Sequence, residues 1–305
     1  MYDILIVGGG TAGLTAAIYA RRAGKTVLAL EGTAFGGQIA SSPLVENYPA
    51  LPAVSGLDYT NALLGQAKAL GAKVKFGRVT AAEQTGEGFK LTAGKREYEG
   101  KALILATGAS HRRLGLPNEE ALTGRGVSYC ATCDGAFFKD KDTAVVGGGD
   151  SALQSAIFLS NICRRVTLIH RRDTFRAQDA YVKAVGEREN VELALNSQVT
   201  ALHGESALTG VSVTGRDGSV RELAVAGLFV EVGQIPDNGP FAALAELDEG
   251  GYFRAGEDCL TRTPGVFAAG DCRSKTLRQL TTAAADGSVA ATAACAWLDG
   301  TAQEK

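Results

Sequence analysis

The chain repeats itself, and no other feature limits its fold as strongly. Residues 3–32 align without a gap on residues 142–171. Each copy has an apolar strand, three glycines, a helix rich in small apolar residues and a second strand. This order is typical of a dinucleotide-binding Rossmann unit. The repeat therefore predicts an α/β fold with two Rossmann-like dinucleotide-binding domains.

Both glycine loops have the spacing G-x-G-x-x-G/A. Glycines there permit a tight turn and let backbone N–H groups approach a pyrophosphate, which lies at the positive end of the following helix. One such match would be weak, but two in the same strand-loop-helix context predict two bound dinucleotides. The loop positions are Gly8, Gly10 and Gly13 in the first copy and Gly147, Gly149 and Ala152 in the second.

The two copies differ in charge at the end of the second strand. Glu31 in the first copy suits the free ribose hydroxyls of a dinucleotide, because a carboxylate accepts their hydrogen bonds. The second copy has His170 in that column, followed by Arg171, Arg172 and Arg176. Guanidinium groups bind a 2′-phosphate, which a carboxylate would repel. The second site is therefore predicted to take NADPH.

The order of the elements predicts that one domain is inserted into the other. Stretches rich in turn residues at 112–119 and 233–240 are the predicted linkers. After the second linker, a predicted strand at 265–271 and a predicted helix of small residues at 279–298 complete the first domain. We predict a FAD-binding domain from residues 1–116 and 241–305, and an NADPH-binding domain at 117–240.

Composition excludes several classes of function. A net charge of −2 gives no overall attraction for nucleic acid or an anionic membrane. The chain opens on an apolar strand without a secretory signal, and its late apolar stretch is too polar to span a bilayer. We therefore expect a cytoplasmic protein with no membrane or nucleic-acid partner. The six cysteines, four of them scattered, do not form a secreted disulfide framework.

Cys130 and Cys133 form the one closely spaced cysteine pair. A structural disulfide over so small a ring would remove little entropy from the unfolded chain. A zinc site would need further ligands at local spacing, and none is nearby, so no metal is predicted. A redox dithiol is the favoured interpretation, because the pair follows one dinucleotide loop and precedes another.

The chain resembles the low-molecular-weight, bacterial-type NADPH-dependent thioredoxin reductases over nearly its whole length. The shared motifs are GGGTAG, GGQ at 36–38, ENYP at 46–49, ATGAS at 106–110, CATCDG at 130–135, GGGDSA at 147–152, HRRDTFRA at 170–177, GVFAAGD at 265–271 and RQ at 278–279. The resemblance implies FAD in the first domain, NADPH in the second, a homodimer, and thioredoxin or a thioredoxin-like protein as partner.

The resemblance also implies roles for individual residues. Cys133 receives electrons from the flavin, Cys130 attacks the disulfide of the partner, and Asp134 exchanges protons. The implied NADPH site includes Asp150 and Ser151. The implied FAD contacts beyond the glycine loop and Glu31 are Gly36, Gly37, Gln38, Asn47, Ala106, Thr107, Gly108, Gly270, Asp271, Arg278 and Gln279.

Other functions remain open at the level of sequence. A thiol oxidase, or a reductase of a different thioredoxin-like or small-molecule disulfide, shares the cysteine motif. A non-catalytic NADPH-sensing protein would need the glycine loops but not the motif at 130–135. Nicotinamide and dithiol cannot both contact one flavin at the same time, so the linkers are predicted to act as hinges for a rotation of the inserted domain.

Overall fold

The structure is a computed structural model that describes residues 1–42, 44–51 and 53–300. The chain forms two compact units. The first unit combines Met1–Ser110 with the chain from Ile235 onward, and the second is the continuous segment His111–Gln234. The chain crosses between units at 110/111 and 234/235, where the sequence predicted 116/117 and 240/241. An α/β fold with one dinucleotide-binding unit inserted into another is confirmed.

The first part of the chain alternates strands and helices before a β-meander. Its helices are α1 (Thr11–Arg22) and α2 (Gly56–Ala69). Its strands are β1 (Tyr2–Val7), β2 (Val27–Glu31), β3 (Lys73–Phe76), β4 (Val79–Thr85), β5 (Gly88–Ala93), β6 (Arg96–Leu105) and β7 (Ala109–His111).

The inserted unit repeats the strand-helix-strand start. Its helices are α3 (Glu119–Leu122), α4 (Ala131–Asp134), α5 (Asp150–Ser160) and α6 (Asp179–Gly186). Its strands are β8 (Val127–Ser128), β9 (Asp142–Gly147), β10 (Arg165–Ile169), β11 (Val191–Ala194), β12 (Ser197–His203), β13 (Gly210–Gly215), β14 (Val220–Leu223) and β15 (Gly227–Glu231).

The last part of the chain returns to the first unit. It contains β16 (Gln234–Pro236), β17 (Val266–Ala268) and the long helix α7 (Leu280–Leu298). At the crossings, β7 and β16 pair as a two-stranded sheet. None of the helices in the described part of the chain is long and apolar enough to cross a membrane.

The sheet of the first unit has the order β3-β2-β1-β6-β5-β4, and β17 also pairs with β6. Strand β6 is long enough to pair with three strands, β1, β5 and β17. Its first half pairs antiparallel with β5, and its residues Leu103–Leu105 pair parallel with β17. Residues Ile4 to Val7 of β1 are all buried, as expected for a parallel strand covered on both faces. Helices α1 and α7 cover one of these faces.

The inserted unit contains a five-stranded parallel sheet of order β11-β10-β9-β15-β8 and a separate antiparallel sheet β12-β13-β14. Its two apolar clusters lie on either side of the parallel sheet. One contains Val146 and Leu228, and the other contains Leu168, Phe229 and residues of α5 such as Leu153. Each glycine loop therefore ends a central parallel strand, with its helix packed on the sheet beside it.

Candidate functional site

The first glycine loop joins β1 to α1 and lies close to the end of β6. Gly8 has φ +109°, and a Cβ there would be 2.1 Å from the Ala106 carbonyl oxygen. A Cβ on Gly13 would be 2.0 Å from the Gly8 carbonyl oxygen. Side chains at these two positions would push the loop away from its neighbours. Gly10 precedes the first turn of α1 and adds no capping side chain, so the start of α1 can accept a phosphate.

Glu31 ends β2 beside this loop and is buried. Its Oε2 accepts a hydrogen bond from the Gly9 backbone N–H at 2.7 Å. Its Oε1 accepts from the backbone N–H and the hydroxyl of Thr33, at 2.7 and 2.9 Å. A carboxylate has about four lone-pair sites, so Glu31 can accept further hydrogen bonds from ribose hydroxyls.

Gly36 and Gly37 form a second turn against the loop. The Gly36 N–H donates to the Gly9 carbonyl at 2.8 Å, and a Cβ on Gly36 would be 2.1 Å from Thr60 Oγ1. The Gln38 side chain donates to the Ala109 carbonyl, just after residues 106–108. The segment from Gly36 to Gln38 is thereby joined both to the glycine loop and to the start of β7.

Asn47 and Gln279 are far apart in sequence, yet Asn47 Nδ2 donates to Gln279 Oε1 at 3.0 Å. Gln279 is also the N-cap of α7 and forms a capping box with Thr282. These two predicted FAD contacts therefore meet at the start of α7. Arg278 places its guanidinium 4.2 Å from the centre of the Tyr252 ring and donates to the Asp271 carbonyl.

Asp271 supplies a direct test of whether the first unit fits a polar cofactor. Its Oδ1 is buried and has no hydrogen-bond partner among the described residues. Burial raises the pKa of the Asp271 carboxyl. A buried acceptor without a donor is costly, and the hydroxyls of a FAD ribityl chain are donors of the required kind. The residues present therefore fit FAD.

Two polar groups near Asp271 were missed by the sequence interpretation. Asn238 is 1% exposed; its Oδ1 accepts from the Thr107 hydroxyl at 2.6 Å and its Nδ2 donates to the Cys272 carbonyl at 2.8 Å. It therefore links residues 106–108 to the segment at 270–272. Nothing in the local sequence pattern of the turn at 233–240 marks Asn238 as buried.

The second missed group is a cluster of buried charges that holds α7 in place. Asp286 of α7 accepts from Arg273 Nε at 2.8 Å, from Lys275 Nζ at 2.9 Å and from the Gly270 N–H at 2.9 Å. Gly270 immediately precedes Asp271, so the cluster fixes the backbone beside the candidate FAD site. In the sequence, a lone aspartate within a predicted helix of small residues was the feature that could have indicated this buried charge cluster.

The second glycine loop joins β9 to α5 in the inserted unit. Gly147 has φ +157°, and a Cβ there would be 2.6 Å from the Ala152 Cβ. The lack of a side chain at Gly147 thus leaves room for the methyl group of the alanine in third place. Asp150 begins α5 and accepts from the backbone N–H and side chain of Gln178, at 2.8 and 2.9 Å. Ser151 follows it, exposed at the start of the helix.

The arginines after β10 occupy different positions. Arg171 and Arg172 line a cavity of about 390 Å³ together with Arg216, a residue that the sequence interpretation missed. The Arg176 backbone N–H donates to the Gly148 carbonyl at 2.8 Å. Arg216 follows β13, so only the fold brings it to the two arginines at the carboxyl end of β10.

His170 is buried beneath the second loop. Its ring lies against Gly148, where a Cβ would be 2.0 Å from the imidazole, and it stacks on Phe175 with ring centroids 5.3 Å apart. Burial lowers the pKa of His170, which favours the neutral ring. Its Nε2 lies 3.0 Å from the Thr174 carbonyl oxygen. The ring supports the loop from below, and a direct role toward NADPH stays a prediction.

The cysteine pair lies in the same inserted unit as the second loop. Cys130 and Cys133 form a disulfide, with their Cα atoms 5.3 Å apart across the short helix α4. Asp134 ends that helix, and its Oδ2 accepts a hydrogen bond from the Ser128 hydroxyl at 2.6 Å. Burial raises the pKa of the Asp134 carboxyl. A partly buried disulfide thus has a carboxyl with a raised pKa as its direct neighbour in the chain.

The other four cysteines, Cys163, Cys259, Cys272 and Cys295, are buried free thiols. Cys272 lies next to Asp271, and its Sγ donates to the Ala269 carbonyl at 3.2 Å. Burial raises the pKa of the Cys272 thiol, so the reactive thiolate is disfavoured. Across the described ranges, no group of three or more His, Cys, Asp or Glu side chains is arranged to hold a metal ion.

Known proteins share both the sequence and the fold. The family model described as "Pyridine nucleotide-disulphide oxidoreductase" matches residues 2–287. A thioredoxin reductase of Listeria innocua is 42% identical over 292 residues, covering 95% of this chain and 92% of that protein.

Solved structures agree with this result. A thioredoxin reductase from Streptococcus pyogenes has 39% identity and a TM-score of 0.93, covering 98% of this chain and 99% of that one. A Lactococcus lactis thioredoxin reductase in its FR conformation has 37% identity and a TM-score of 0.69, with coverage of 98% and 100%. The chain therefore belongs to the pyridine nucleotide-disulphide oxidoreductase family and, within it, to the bacterial-type thioredoxin reductases, a group of flavin-dependent disulfide oxidoreductases.

Proposed function

We propose that this protein is an NADPH-dependent reductase of thioredoxin or a thioredoxin-like protein. The Cys130–Cys133 disulfide carries the proposal, because it lies beside Asp134 in a unit that also has a dinucleotide loop. FAD, when bound, supplies the transfer of two electrons from NADPH to this disulfide.

The first unit is proposed to hold FAD. The loop of Gly8, Gly10 and Gly13 would accept the pyrophosphate, and Glu31 would accept hydrogen bonds from the adenosine ribose. The unpartnered Asp271 Oδ1 would accept from a hydroxyl of the ribityl chain. The remaining predicted contacts are Gly36, Gly37, Gln38, Asn47, Ala106, Thr107, Gly108, Gly270, Arg278 and Gln279.

The inserted unit is proposed to hold NADPH. The loop of Gly147 and Gly149, the start of α5 and Ala152 would bind the pyrophosphate. Arg171 and Arg172 would bind the 2′-phosphate, and Arg216 lines the same cavity. Asp150, Ser151, His170 and Arg176 complete the predicted site.

The proposed dithiol chemistry gives three residues the roles that the family resemblance implies. The Cys130 thiolate attacks one sulfur of the substrate disulfide, which forms a mixed disulfide and releases the other substrate sulfur as a thiolate. The Cys133 thiolate then attacks the Cys130 sulfur, restores the Cys130–Cys133 disulfide and releases the second thiolate. Asp134 donates a proton to a leaving thiolate and takes one from a dithiol sulfur in the reverse direction.

Turnover is further proposed to involve rotation of the inserted unit about the crossings. The relatives from Streptococcus pyogenes and Lactococcus lactis have nearly equal sequence identity to this chain and nearly equal coverage of it. Their TM-scores against this structure nevertheless differ, at 0.93 and 0.69. Such a spread is expected when the same units adopt different relative orientations in different proteins. A homodimer and a cytoplasmic location also belong to this proposal, on the family resemblance alone.

Anaerobic NADPH consumption by the flavin-loaded protein, with and without oxidised thioredoxin, tests the proposal. The wild type should consume NADPH continuously only when thioredoxin is present. Cys130→Ser should still allow NADPH to bleach the flavin but should abolish turnover. Cys163→Ala, which removes a buried thiol of the same unit, is the matched control and should behave like the wild type.

Each other outcome identifies a different error. If NADPH bleaches the flavin but thioredoxin does not support turnover, the protein is a reductase of another disulfide. Oxygen consumption with a small-molecule dithiol and no NADPH would favour a thiol oxidase. No bleaching by NADPH would contradict the assignment of Arg171 and Arg172.

A further inference from the structure

Glu231 is a carboxyl group for which the proposed reaction has no role. It is the last residue of β15, which pairs with β9 in the centre of the parallel sheet. Its Oε1 accepts a hydrogen bond from the Ser155 hydroxyl of α5 at 2.7 Å. Its backbone pairs with Gly147, where a Cβ would be 2.4 Å from the Glu231 carbonyl oxygen. A half-buried carboxyl therefore lies beside the second glycine loop.

The strand order indicates which half of a dinucleotide this carboxyl would face. In the order β11-β10-β9-β15-β8, the chain leaves β9 toward β10 and β11, while β15 lies on the other side of β9. A dinucleotide crosses the carboxyl edge of such a sheet at this switch point. Arg171 and Arg172 follow β10 and assign the adenosine half to that side. The nicotinamide half then lies on the side where Glu231 ends β15.

The surroundings of Glu231 leave its ionisation sensitive to pH near neutrality. Burial raises the pKa of Glu231 to about 7, and the hydrogen bond from Ser155 acts in the opposite direction. Within the described residues, no Lys, Arg or His side chain forms an ion pair with it. Both protonation states are therefore populated at pH 7.

The other titratable groups on the elements around Glu231 have partners of their own. Asp142 is at the opposite end of β9 and pairs with Arg164. Asp150 at the start of α5 accepts from Gln178. Asp134 accepts from Ser128 of β8. None of these groups contributes to the pKa of Glu231.

We propose that Glu231 faces the nicotinamide ring and that its ionisation sets the relative affinity of the protein for NADP⁺ and NADPH. This inference rests on the proposed NADPH site. The ring is positively charged in NADP⁺ and neutral in NADPH, whereas the phosphates of the two molecules are the same. An ionised carboxylate attracts only the charged ring. A rise in pH therefore strengthens binding of the product NADP⁺ relative to the substrate.

The test measures Kd by calorimetry on the flavin-loaded enzyme between pH 6 and 8. The two ligands are NADP⁺ and tetrahydro-NADP, an analogue with a neutral ring that donates no hydride. The ratio of their Kd values cancels the contributions of the phosphates. For the wild type, the ratio Kd(tetrahydro-NADP)/Kd(NADP⁺) should rise about three- to tenfold, since one unit of pKa corresponds to tenfold. Glu231→Gln should show a constant ratio.

Two further variants separate a charge effect from a structural one. Ser155→Ala removes a hydrogen bond that favours the ionised carboxylate, so the midpoint of the rise should move to higher pH. Glu187→Gln, an equivalent change at a carboxyl that is 66% exposed, should reproduce the wild type. Far-ultraviolet circular dichroism confirms that each variant is folded.

The results distinguish this inference from the proposed function. If both ligands bind but the wild-type ratio does not change with pH, or if Glu231→Gln keeps the same rise, Glu231 does not face the ring. If neither ligand binds the wild type, the NADPH site itself is wrong.

Discussion

At the scale of single residues, Asp134 is the side chain whose surroundings best match a role in proton transfer. It lies directly after Cys133, it is hydrogen-bonded by Ser128, and burial raises its pKa. A carboxyl with a raised pKa keeps its proton at a pH where an exposed one has lost it. It can therefore donate a proton to a thiolate closer to neutral pH.

We predict that Asp134→Asn lowers turnover about a hundredfold, the lower end of the range for a lost general acid. In the wild type, the rate that depends on protonated Asp134 should fall as the pH rises through its raised pKa. Ser128→Ala removes a hydrogen bond that lowers this pKa, so the fall should move to higher pH. Steady-state kinetics between pH 5 and 9 test both variants, and an unchanged profile would exclude the role.

Asp286 provides a second prediction at this scale, concerning stability. Its side chain is 6% exposed and neutralises Arg273 and Lys275, which are 3% and 5% exposed. We predict that Asp286→Asn lowers the free energy of unfolding by about 3–5 kcal/mol, because it leaves buried charges unpaired. Urea unfolding measures the effect. Glu257→Gln, at the partner of Arg273 that is 95% exposed, should change stability by less than about 1 kcal/mol.

The ion pairs of Asp286 also give stability a pH dependence with a defined sign. Burial alone would raise the pKa of Asp286, but the hydrogen bonds from Arg273 and Lys275 lower it overall. A carboxyl with a lowered folded-state pKa stabilises the fold above its unfolded pKa, and that contribution is lost as the pH falls through the folded one. The stability difference between wild type and Asp286→Asn should therefore shrink in acid.

At the scale of elements, the crossing of α7 over α1 depends on a glycine. A Cβ on Gly287 would be 2.3 Å from the Ala12 carbonyl oxygen, which is closer than real Cβ atoms come to other atoms. The backbones of the two helices therefore approach closely at this point, and a side chain at position 287 would push α7 away from the start of α1.

We predict that Gly287→Ala destabilises the protein by about 1–3 kcal/mol, the usual cost of overpacking, and weakens FAD retention. Gly65→Ala is the matched control, since Gly65 also lies inside a helix but has no atom within 4 Å of its Cβ position. This control should stabilise the protein by up to about 1 kcal/mol, because alanine favours helix. Thermal unfolding and flavin content provide the measurements; equal effects of both variants would refute the packing argument.

At the scale of the whole molecule, the inserted unit has the properties of an independent domain. It is one continuous segment with its own parallel sheet and apolar clusters. The first unit, in contrast, needs two separate stretches of chain to complete one sheet, because β17 pairs with β6.

We therefore predict that residues 111–234 expressed alone fold cooperatively and bind NADPH but not FAD. Affinity for 2′,5′-ADP should stay within about tenfold of the full chain, since a domain with its own core can fold alone. Circular dichroism and calorimetry test this. The same fragment with Arg171→Ala and Arg172→Ala should fold equally well and bind the ligand more weakly. A wild-type fragment that is unfolded would refute domain independence.

The sequence determined the features that are local in the chain. The glycine spacings, the apolar strands and the Cys130–Cys133 pair each depend on neighbouring residues, so they predicted two Rossmann-like units and a dithiol. The apolar residues at 102–105 form the end of β6, and the backbone of Ala106, which follows them, lies against Gly8.

Tertiary structure alone decided which distant residues meet. Three such pairs, brought together by the fold rather than by sequence spacing, are Asn47 with Gln279, Asn238 with Thr107, and Arg216 with Arg172. The burial of Asp286 and Glu231 was likewise decided by packing, because a charged residue in the sequence gives no sign of how much solvent will reach it. The sequence thus determined the elements and their chemistry, and the fold determined the electrostatics, because charges act through space.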